Sequence, residues 1–192
     1  MVIVQDIIND IKKELRANMN GVASAHARQT EDYRVNWGVE LPRLATIAKD
    51  FEGSRELAQA LWNESVRECK ILACMLMPTE AFAEERCDIW AEGIRTEEIA
   101  TMFCLYLMQR LPYASVKAFQ WIAGEDAMLQ NCGYLTLCHL MRKEPLDESA
   151  ENEFLDQAGA SLDNRYAVKA LQIFASLSED NARKVKKVAD YL

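Results

Sequence analysis

The sequence has 192 residues and a mass of 21.9 kDa, which is enough for one sizeable core and short for two. Half of the residues are hydrophobic and 27% are charged, which excludes a disordered chain, and 7 Gly and 4 Pro disfavour an all-β sandwich with many tight hairpins. The formal net charge of −8 and the pI near 4.9 favour solubility and oppose loose, sequence-independent binding to nucleic acid or anionic lipid.

Helical periodicity runs along the chain from its start. The first apolar stripe has members at i, i+1, i+4 and i+8: Ile7, Ile8, Ile11 and Leu15. This spacing places them on one face of a helix. Prolines, glycines and capping residues mark the later boundaries, and no stretch shows convincing strand alternation. The later predicted helices cover residues 42–51, 55–63, 65–77, 84–94, 97–111, 114–123, 127–143, 148–160, 164–177 and 179–191.

Short polar side chains stand just before many of these helices, where a side-chain oxygen can accept a hydrogen bond from a backbone N–H group. The predicted N-caps are Ser54, Thr96, Asp126, Asp147, Asp163 and Ser178. Two acidic pairs, Glu84–Glu85 and Glu97–Glu98, fall in first turns, where a carboxylate stabilises the positive end of a helix. Neighbouring helical residues point about 100° apart, so neither pair is predicted to converge on a substrate as catalytic carboxylates.

The helices repeat at a nearly constant interval. The first helices of successive pairs begin near residues 54, 84, 114 and 148, in steps of 30, 30 and 34. A large apolar residue recurs near the end of each, and a long apolar helix follows: Trp62, Trp90, Trp121 and Leu155. This spacing predicts that the tryptophans pack between repeats in the core, rather than stack on nucleic-acid bases.

A two-helix unit cannot bury its apolar face alone, so stacked units are expected. The repeat predicts one all-α domain over residues 1–192. Its architecture would be a HEAT-like helical-repeat solenoid of antiparallel helix pairs, an α–α superhelix whose second helices line a concave face. The alternative is an irregular helical bundle.

Several kinds of site have no support in the sequence. The six cysteines form no Cys-x-x-Cys pair, which predicts buried free thiols in a reducing cytoplasm. His26 and His139 lack metal-ligand spacing, and no phosphate-binding loop is present, so no metal and no cofactor are predicted. No apolar run reaches about 18 residues, and Asp6 and Asp10 interrupt the first stripe. Neither a membrane span nor a secretory signal is therefore predicted.

The strongest positive feature is a basic cluster in the last predicted helix, formed by Arg183, Lys184, Lys186 and Lys187. Positive charge is favourable at the C-terminal end of a helix, which predicts a solvated helix end. The alternative interpretation is an interaction surface.

Five stretches form an ordered series of motifs: NWGVELPRLATIAKDF (36–51), ELAQALWNESVRECKILACMLM (56–77), FAEERCDIWAEGI (82–94), AFQWIAGEDAMLQNCGYLTL (118–137) and NRYAVKALQIFASL (164–177). In this order and spacing they resemble the AlkD-type DNA alkylation repair family, whose members are helical proteins built from HEAT-like repeats. The likeness extends over roughly residues 20–178. Members of the family often run longer, so the resemblance leaves open a further repeat after Leu192.

The resemblance implies a DNA glycosylase that releases N3- or N7-alkylated purines from duplex DNA held in a concave basic groove. A Trp-Asp-x-x-Asp motif would supply an aromatic face and a carboxylate that stabilises the oxocarbenium-like sugar. Here Glu97 replaces the aromatic residue, Thr101 replaces the carboxylate, and Asn131 replaces the arginine of a Gln-Arg pair. A shifted register would let Glu97 or Glu98 serve as the carboxylate, but the aromatic face stays missing. No residue is therefore assigned a catalytic role.

Few cations remain for a DNA groove, because the bodies of two second helices, about residues 97–109 and 127–141, contain no Lys or Arg. Arg110, Arg142 and Lys143 lie only at the ends of these helices. The candidate contacts with nucleic acid or a partner are Arg67, Lys70, Arg165, Lys169, Arg183, Lys184, Lys186 and Lys187. We therefore expect an AlkD-like protein, related to DNA alkylation repair, that is non-catalytic or a weak, salt-sensitive binder of nucleic acid. The alternatives are a protein-interaction scaffold with an acidic concave face and a divergent alkylpurine DNA glycosylase.

Overall fold

The computed structural model describes residues 3–30 and 35–190. Twelve α-helices lie within these ranges: α1 Val4–Ala17, α2 Gly21–Thr30, α3 Leu41–Lys49, α4 Arg55–Trp62, α5 Arg67–Leu76, α6 Glu85–Glu92, α7 Glu97–Tyr106, α8 Ala114–Ile122, α9 Ala127–Leu140, α10 Glu148–Gly159, α11 Arg165–Leu177 and α12 Glu179–Asp190. Short 3-10 helices lie at Thr79–Ala81 and Met108–Arg110. The β contact in the described ranges is an isolated bridge between Val35 and Val66, so the predicted all-α class is confirmed.

Side-chain caps begin the helices largely where the sequence predicts them. Five predicted caps accept a hydrogen bond from the backbone N–H three residues later: Ser54, Thr96, Asp126, Asp147 and Ser178. The prediction of Asp163 as a cap is wrong. Helix α11 begins at Arg165, one residue later than predicted, so Asn164 takes the cap position. Its side-chain oxygen accepts from the N–H of Tyr166 at 2.8 Å.

Two predicted helices are shorter in the structure for local reasons. The helix predicted over 65–77 begins two residues later, because Val66 has an extended backbone and pairs with Val35. The helix predicted over 97–111 ends at Tyr106, and the chain then tightens into a 3-10 turn.

Two further differences concern α9 and α2. Helix α9 ends at Leu140 instead of residue 143, and a turn carries the chain on to Pro145. Helix α2 was not predicted, because Val22 is the only large aliphatic side chain in its sequence, GVASAHARQT. A helix without an apolar stripe gives no periodic signal.

The chain divides into two compact units, Met1–Leu107 and Met108–Leu192, called unit 1 and unit 2. Of the described helices, α1 to α7 belong to unit 1 and α8 to α12 belong to unit 2. Each unit has its own buried residues. The single domain over residues 1–192 stays a prediction.

Unit 1 packs its helices in the order that stacked repeats require. Helix α1 contacts α4, α4 contacts α5, and the second helices α3, α5 and α7 pack one on the next. The Trp62 ring stacks on Trp90 with centroids 4.4 Å apart and an interplanar angle of 5°. Phe82 meets Trp90 edge-on, with centroids 5.0 Å apart. Such ring pairs contribute about 0.5–1.5 kcal/mol each beyond their buried area. Trp62 and Trp90 are therefore core residues, as predicted.

Unit 2 follows the same order. Helix α8 packs on α9, α9 on α11, and α11 on α12, while α10 contacts α11 and α12. Gly133 allows α9 to approach α8, because an added Cβ would lie 2.7 Å from the backbone oxygen of Ala118. Trp121 is 4% exposed, and the Phe154 and Phe174 rings lie 5.4 Å apart. Trp121 is thus also a core residue.

The six cysteines are free and buried, as predicted. Burial raises the pKa of the Cys69 thiol to about 12 and raises the pKa of Cys74 as well, so these thiols are unreactive. In the described part of the chain, no cluster of three or more His, Cys, Asp or Glu residues could hold a metal ion. None of its helices is long and apolar enough to cross a membrane.

Candidate functional site

The residues at the glycosylase-motif positions begin helix α7. Thr96 caps this helix, so the two residues after it, Glu97 and Glu98, lie in the first turn. The Thr101 hydroxyl donates a hydrogen bond to the backbone oxygen of Glu97 at 2.9 Å. Thr101 therefore places a neutral hydroxyl, bonded to its own helix, where the motif has a carboxylate.

The Glu98 carboxylate is held by an arginine from α5. Arg67 Nε lies 2.7 Å from Glu98 Oε2, and Arg67 Nη2 lies 2.5 Å from Glu98 Oε1. This two-point geometry is the strongest form of an Arg–carboxylate pair. It compensates the negative charge of Glu98, which is one of the two carboxylates, with Glu97, that the shifted register would offer for catalysis.

Arg67 also contacts a second carboxylate. Its Nη1 lies 3.1 Å from Glu68 Oε1 and 3.1 Å from the backbone oxygen of Val39. The Arg67 side chain is 11% exposed and the Glu68 side chain is 0% exposed. The structure thus places the candidate contact Arg67 in an internal network with Glu68 and Glu98.

Lys70, the other candidate cation in unit 1, is likewise turned inward. Its Nζ donates to the backbone oxygen of Trp62 at 2.7 Å and lies 4.7 Å from the centroid of the Trp62 ring. Burial, assisted by the nearby Arg95, lowers the pKa of Lys70. This contact places the ammonium at the negative C-terminal end of α4.

Asn131, at the position of the missing arginine, joins two second helices of unit 2. Its side-chain oxygen accepts a hydrogen bond from Asn164 Nδ2 at 3.0 Å. This bond connects the N-terminal half of α9 with the cap of α11. The sequence comparison with the glycosylase motif did not predict this hydrogen bond between Asn131 and Asn164.

The residue after that cap is Arg165, and both candidate cations of α11 are exposed. Arg165 and Lys169 are four residues apart, which puts them on one face of the helix. The Arg165 guanidinium lies 5.0 Å from the Tyr166 ring centroid, and its Nη2 donates to the Tyr166 hydroxyl at 3.1 Å. Tyr166 thereby limits the orientations of the guanidinium.

Further cations follow the end of α9 and act, like Lys169, on His139. Arg142 and Lys143 are exposed, and they lower the pKa of His139 together with Lys169, although burial of the imidazole is the larger cause. The four exposed cations define what we call the α9–α11 basic surface: Arg142, Lys143, Arg165 and Lys169. Sequence reasoning left Arg142 and Lys143 out of the candidate contacts, although two basic residues directly after a second helix are a usable signal.

The basic cluster of α12 divides into two parts. Lys184 Nζ lies 2.5 Å from Glu151 Oε1 of α10 and 2.9 Å from Asp180 Oδ2. These contacts raise the pKa of Lys184. The other three members are exposed at i, i+3 and i+4 on one face of α12, and we call them the α12 basic face: Arg183, Lys186 and Lys187. Arg183 also contacts Asp180 at 3.5 Å.

The chain matches a protein-family profile described as DNA alkylation repair enzyme over residues 11–181. It therefore belongs to the DNA alkylation repair family. This result confirms the predicted family.

A solved structure with 18% sequence identity matches 94% of this chain and 82% of its own length, with a TM-score of 0.83. It is described as a member of a new family of proteins related to the HEAT-like repeat DNA glycosylases with affinity for branched DNA structures. At that identity the likeness establishes the fold, and the predicted HEAT-like repeat fold is confirmed. The comparison with curated proteins gives no match.

Proposed function

We propose that this protein is a non-catalytic member of the DNA alkylation repair family that binds branched DNA through phosphate contacts in unit 2. The observation that carries the proposal is a contrast between two kinds of position. The glycosylase-motif positions hold Glu97, Thr101 and Asn131, while exposed cations stand directly after α9 and on α11 and α12. Branched DNA is proposed as the ligand because the solved relative has affinity for it.

The loss of catalysis is supported by the charge at the motif. Release of an alkylated purine needs a negative group beside the oxocarbenium-like sugar. The Thr101 hydroxyl is neutral, and the carboxylate of Glu98 is paired with Arg67. Neither Thr101 nor Glu98 offers an uncompensated negative charge to a sugar, and Glu97, the other carboxylate of the shifted register, occupies the place of the aromatic face.

DNA binding is supported by the α9–α11 basic surface and the α12 basic face. Their cations are exposed, so they can replace counterions along a phosphate backbone. The whole protein carries a charge of −8, which adds a general repulsion. We therefore expect affinity that falls steeply with salt. Four phosphate contacts would give a slope of about −3.6 for log K against log salt concentration.

Fluorescence anisotropy on a labelled four-way junction and a linear duplex of the same base composition tests this function. At about 50 mM salt, the junction should bind more tightly than the duplex. The variant Arg165→Ala/Lys169→Ala should reduce the salt slope by about 1.8, since two phosphate contacts are lost. The control Lys13→Ala/Lys49→Ala removes the same charge from exposed positions of unit 1 and should keep the slope. Absence of junction binding, or an equal loss in the control, would contradict the proposal.

The two alternative functions have their own tests. A duplex that contains N7-methylguanine should show no base release at a large excess of protein, and release would establish a divergent glycosylase. Recovery of a specific protein partner together with absence of DNA binding would establish an interaction scaffold. The proposed location is the cytoplasm, where six free thiols stay reduced.

A further inference from the structure

A fully buried carboxylate fixes the short segment 36–39 before α3. The Glu68 side chain is 0% exposed and accepts hydrogen bonds from two backbone N–H groups of the segment. The N–H of Trp37 lies 3.1 Å from Glu68 Oε1 and 3.2 Å from Oε2, and the N–H of Val39 lies 3.2 Å from Oε1. Arg67 compensates the carboxylate and donates to the backbone oxygen of Val39.

Residues at the start of α2 and just before it bind segment 36–39 by further hydrogen bonds. The backbone oxygen of Trp37 accepts from the N–H of Asn20 at 3.0 Å, and Ser24 Oγ donates to the backbone oxygen of Asn36 at 3.0 Å. Gly38 has a φ of +69°, and a Cβ at this position would lie 2.3 Å from the backbone oxygen of Asn20. The segment therefore requires glycine here and has little freedom to move.

The fixed segment presents one tryptophan partly to solvent. Trp62, Trp90 and Trp121 are 4%, 0% and 4% exposed, respectively, whereas Trp37 is half-buried. The exposed Arg16 places its guanidinium 5.5 Å from the centroid of the Trp37 ring. A buried charge costs free energy unless it is paired. Here the paired charge serves to hold a loop that carries a partly exposed aromatic ring beside an arginine.

We infer that Trp37 and Arg16 form a stacking platform for an unpaired nucleobase, an inference that rests on the proposed DNA-binding function. Every base has a π-face, and bases stack on indole rings and on guanidinium planes. A branch point exposes base faces that the interior of a linear duplex hides. The platform would therefore make unit 1 responsible for the preference for branched DNA, while the cations of unit 2 supply contacts that any duplex can use.

The variants Trp37→Ala and Trp37→Phe test the platform on a junction with unpaired bases and on a fully paired linear duplex. Loss of a base-stacking aromatic ring weakens binding by about 5- to 150-fold. We expect this loss for Trp37→Ala on the junction, no change on the duplex, and largely retained junction binding for Trp37→Phe. Met19→Ala removes another exposed apolar side chain of unit 1 (58% exposed) and is the matched control.

Intrinsic fluorescence gives a second readout that does not depend on the alanine variant being folded. Trp37 is the tryptophan that a bound base can reach, so the junction should quench part of the emission of the native protein. The same titration should leave Trp37→Phe unquenched, because the three other tryptophans are buried.

The outcomes separate this inference from the proposed function. Equal junction affinity of the native protein and Trp37→Ala, with a loss for Arg165→Ala/Lys169→Ala, would overturn the platform and leave DNA binding intact. Quenching that persists in Trp37→Phe would also overturn it. No binding of the native protein to any DNA would overturn both.

Discussion

The candidate cations on α5 of unit 1 and on α11 of unit 2 lie in opposite environments. In unit 1, Arg67 is paired with two carboxylates and Lys70 lies on a backbone oxygen and an indole ring. In unit 2, Arg165 and Lys169 are exposed on one face of α11. A paired, half-buried cation must break its internal contacts before it can bind phosphate. An exposed cation on a second helix can reach phosphate without first leaving the protein interior.

The largest effect should follow the substitution of Arg67, the cation that is paired with Glu68 and Glu98. Arg67→Met leaves the buried Glu68 carboxylate without its counter-charge, so we expect a loss of about 3–5 kcal/mol in the free energy of unfolding. Urea unfolding followed by circular dichroism measures this loss. The exposed Arg55, at the start of α4, provides the control Arg55→Met, which should stay within about 0.5 kcal/mol of the native protein.

The same variant also tests the contrast between the units. Junction binding by the folded fraction of Arg67→Met should keep the native salt slope, because the Arg67 guanidinium is bound to Glu68 and Glu98 and not to phosphate. A stable Arg67→Met protein with a reduced slope would show instead that Arg67 releases its carboxylates for DNA.

A smaller loss should follow the removal of the cap that joins α9 and α11. Asn164→Ala removes both the cap of α11 and the hydrogen bond to Asn131, so we expect a loss of about 1–2 kcal/mol. Thermal or urea unfolding measures it. Asp163→Ala changes the neighbouring residue that is not the cap, and it should cost less than about 0.5 kcal/mol. The reverse order of the two effects would contradict the cap assignment.

The core was predictable from the sequence because it depends on spacing along the chain. The recurrence of Trp62, Trp90 and Trp121 predicted buried rings, and all three are buried. Local signals could not decide between equivalent neighbours, and Asp163 and Asn164 are both good caps. Helix α2 gave no signal, because it lacks an apolar stripe.

The candidate site was less predictable, because it depends on partners that are distant in the sequence. Arg67 and Glu98 are 31 residues apart, and no repeat indicates that they form a pair. The exposure of Arg165 and Lys169 agrees with their i, i+4 spacing, which the sequence does show. The proximity of His139 to Lys169 requires the packing of α9 on α11, so the charge around that imidazole was visible only in the structure.

Within α12, the exposed and the paired lysines should behave differently. Lys186→Ala/Lys187→Ala should lower the salt slope of junction binding by about 1.8, because both residues belong to the α12 basic face. Lys184→Ala should leave the slope nearly unchanged and lower the free energy of unfolding only slightly, since the pair with Glu151 is near the surface. Anisotropy titrations at several salt concentrations measure the slopes. A larger slope change for Lys184→Ala would mean that the wrong lysines were assigned to DNA.

The smallest expected effect is a pH dependence that centres on His139. In the free protein, burial and then Arg142, Lys143 and Lys169 lower its pKa from the ordinary value of 6.5. Folded His139 thus binds fewer protons than unfolded His139, and it should make the free protein less stable as the pH falls below about 6.5.

Bound phosphate would raise the pKa of His139, because a negative charge favours the imidazolium form. Proton uptake would then accompany binding, so junction affinity should increase modestly as the pH falls from about 7.5 to 5.5. His139→Gln should remove this increase in affinity, although the variant retains the other histidine, His26. The same variant should remove the accompanying loss of stability in the free protein. Identical pH profiles for the native protein and His139→Gln would mean that DNA does not reach the α9–α11 basic surface at this residue.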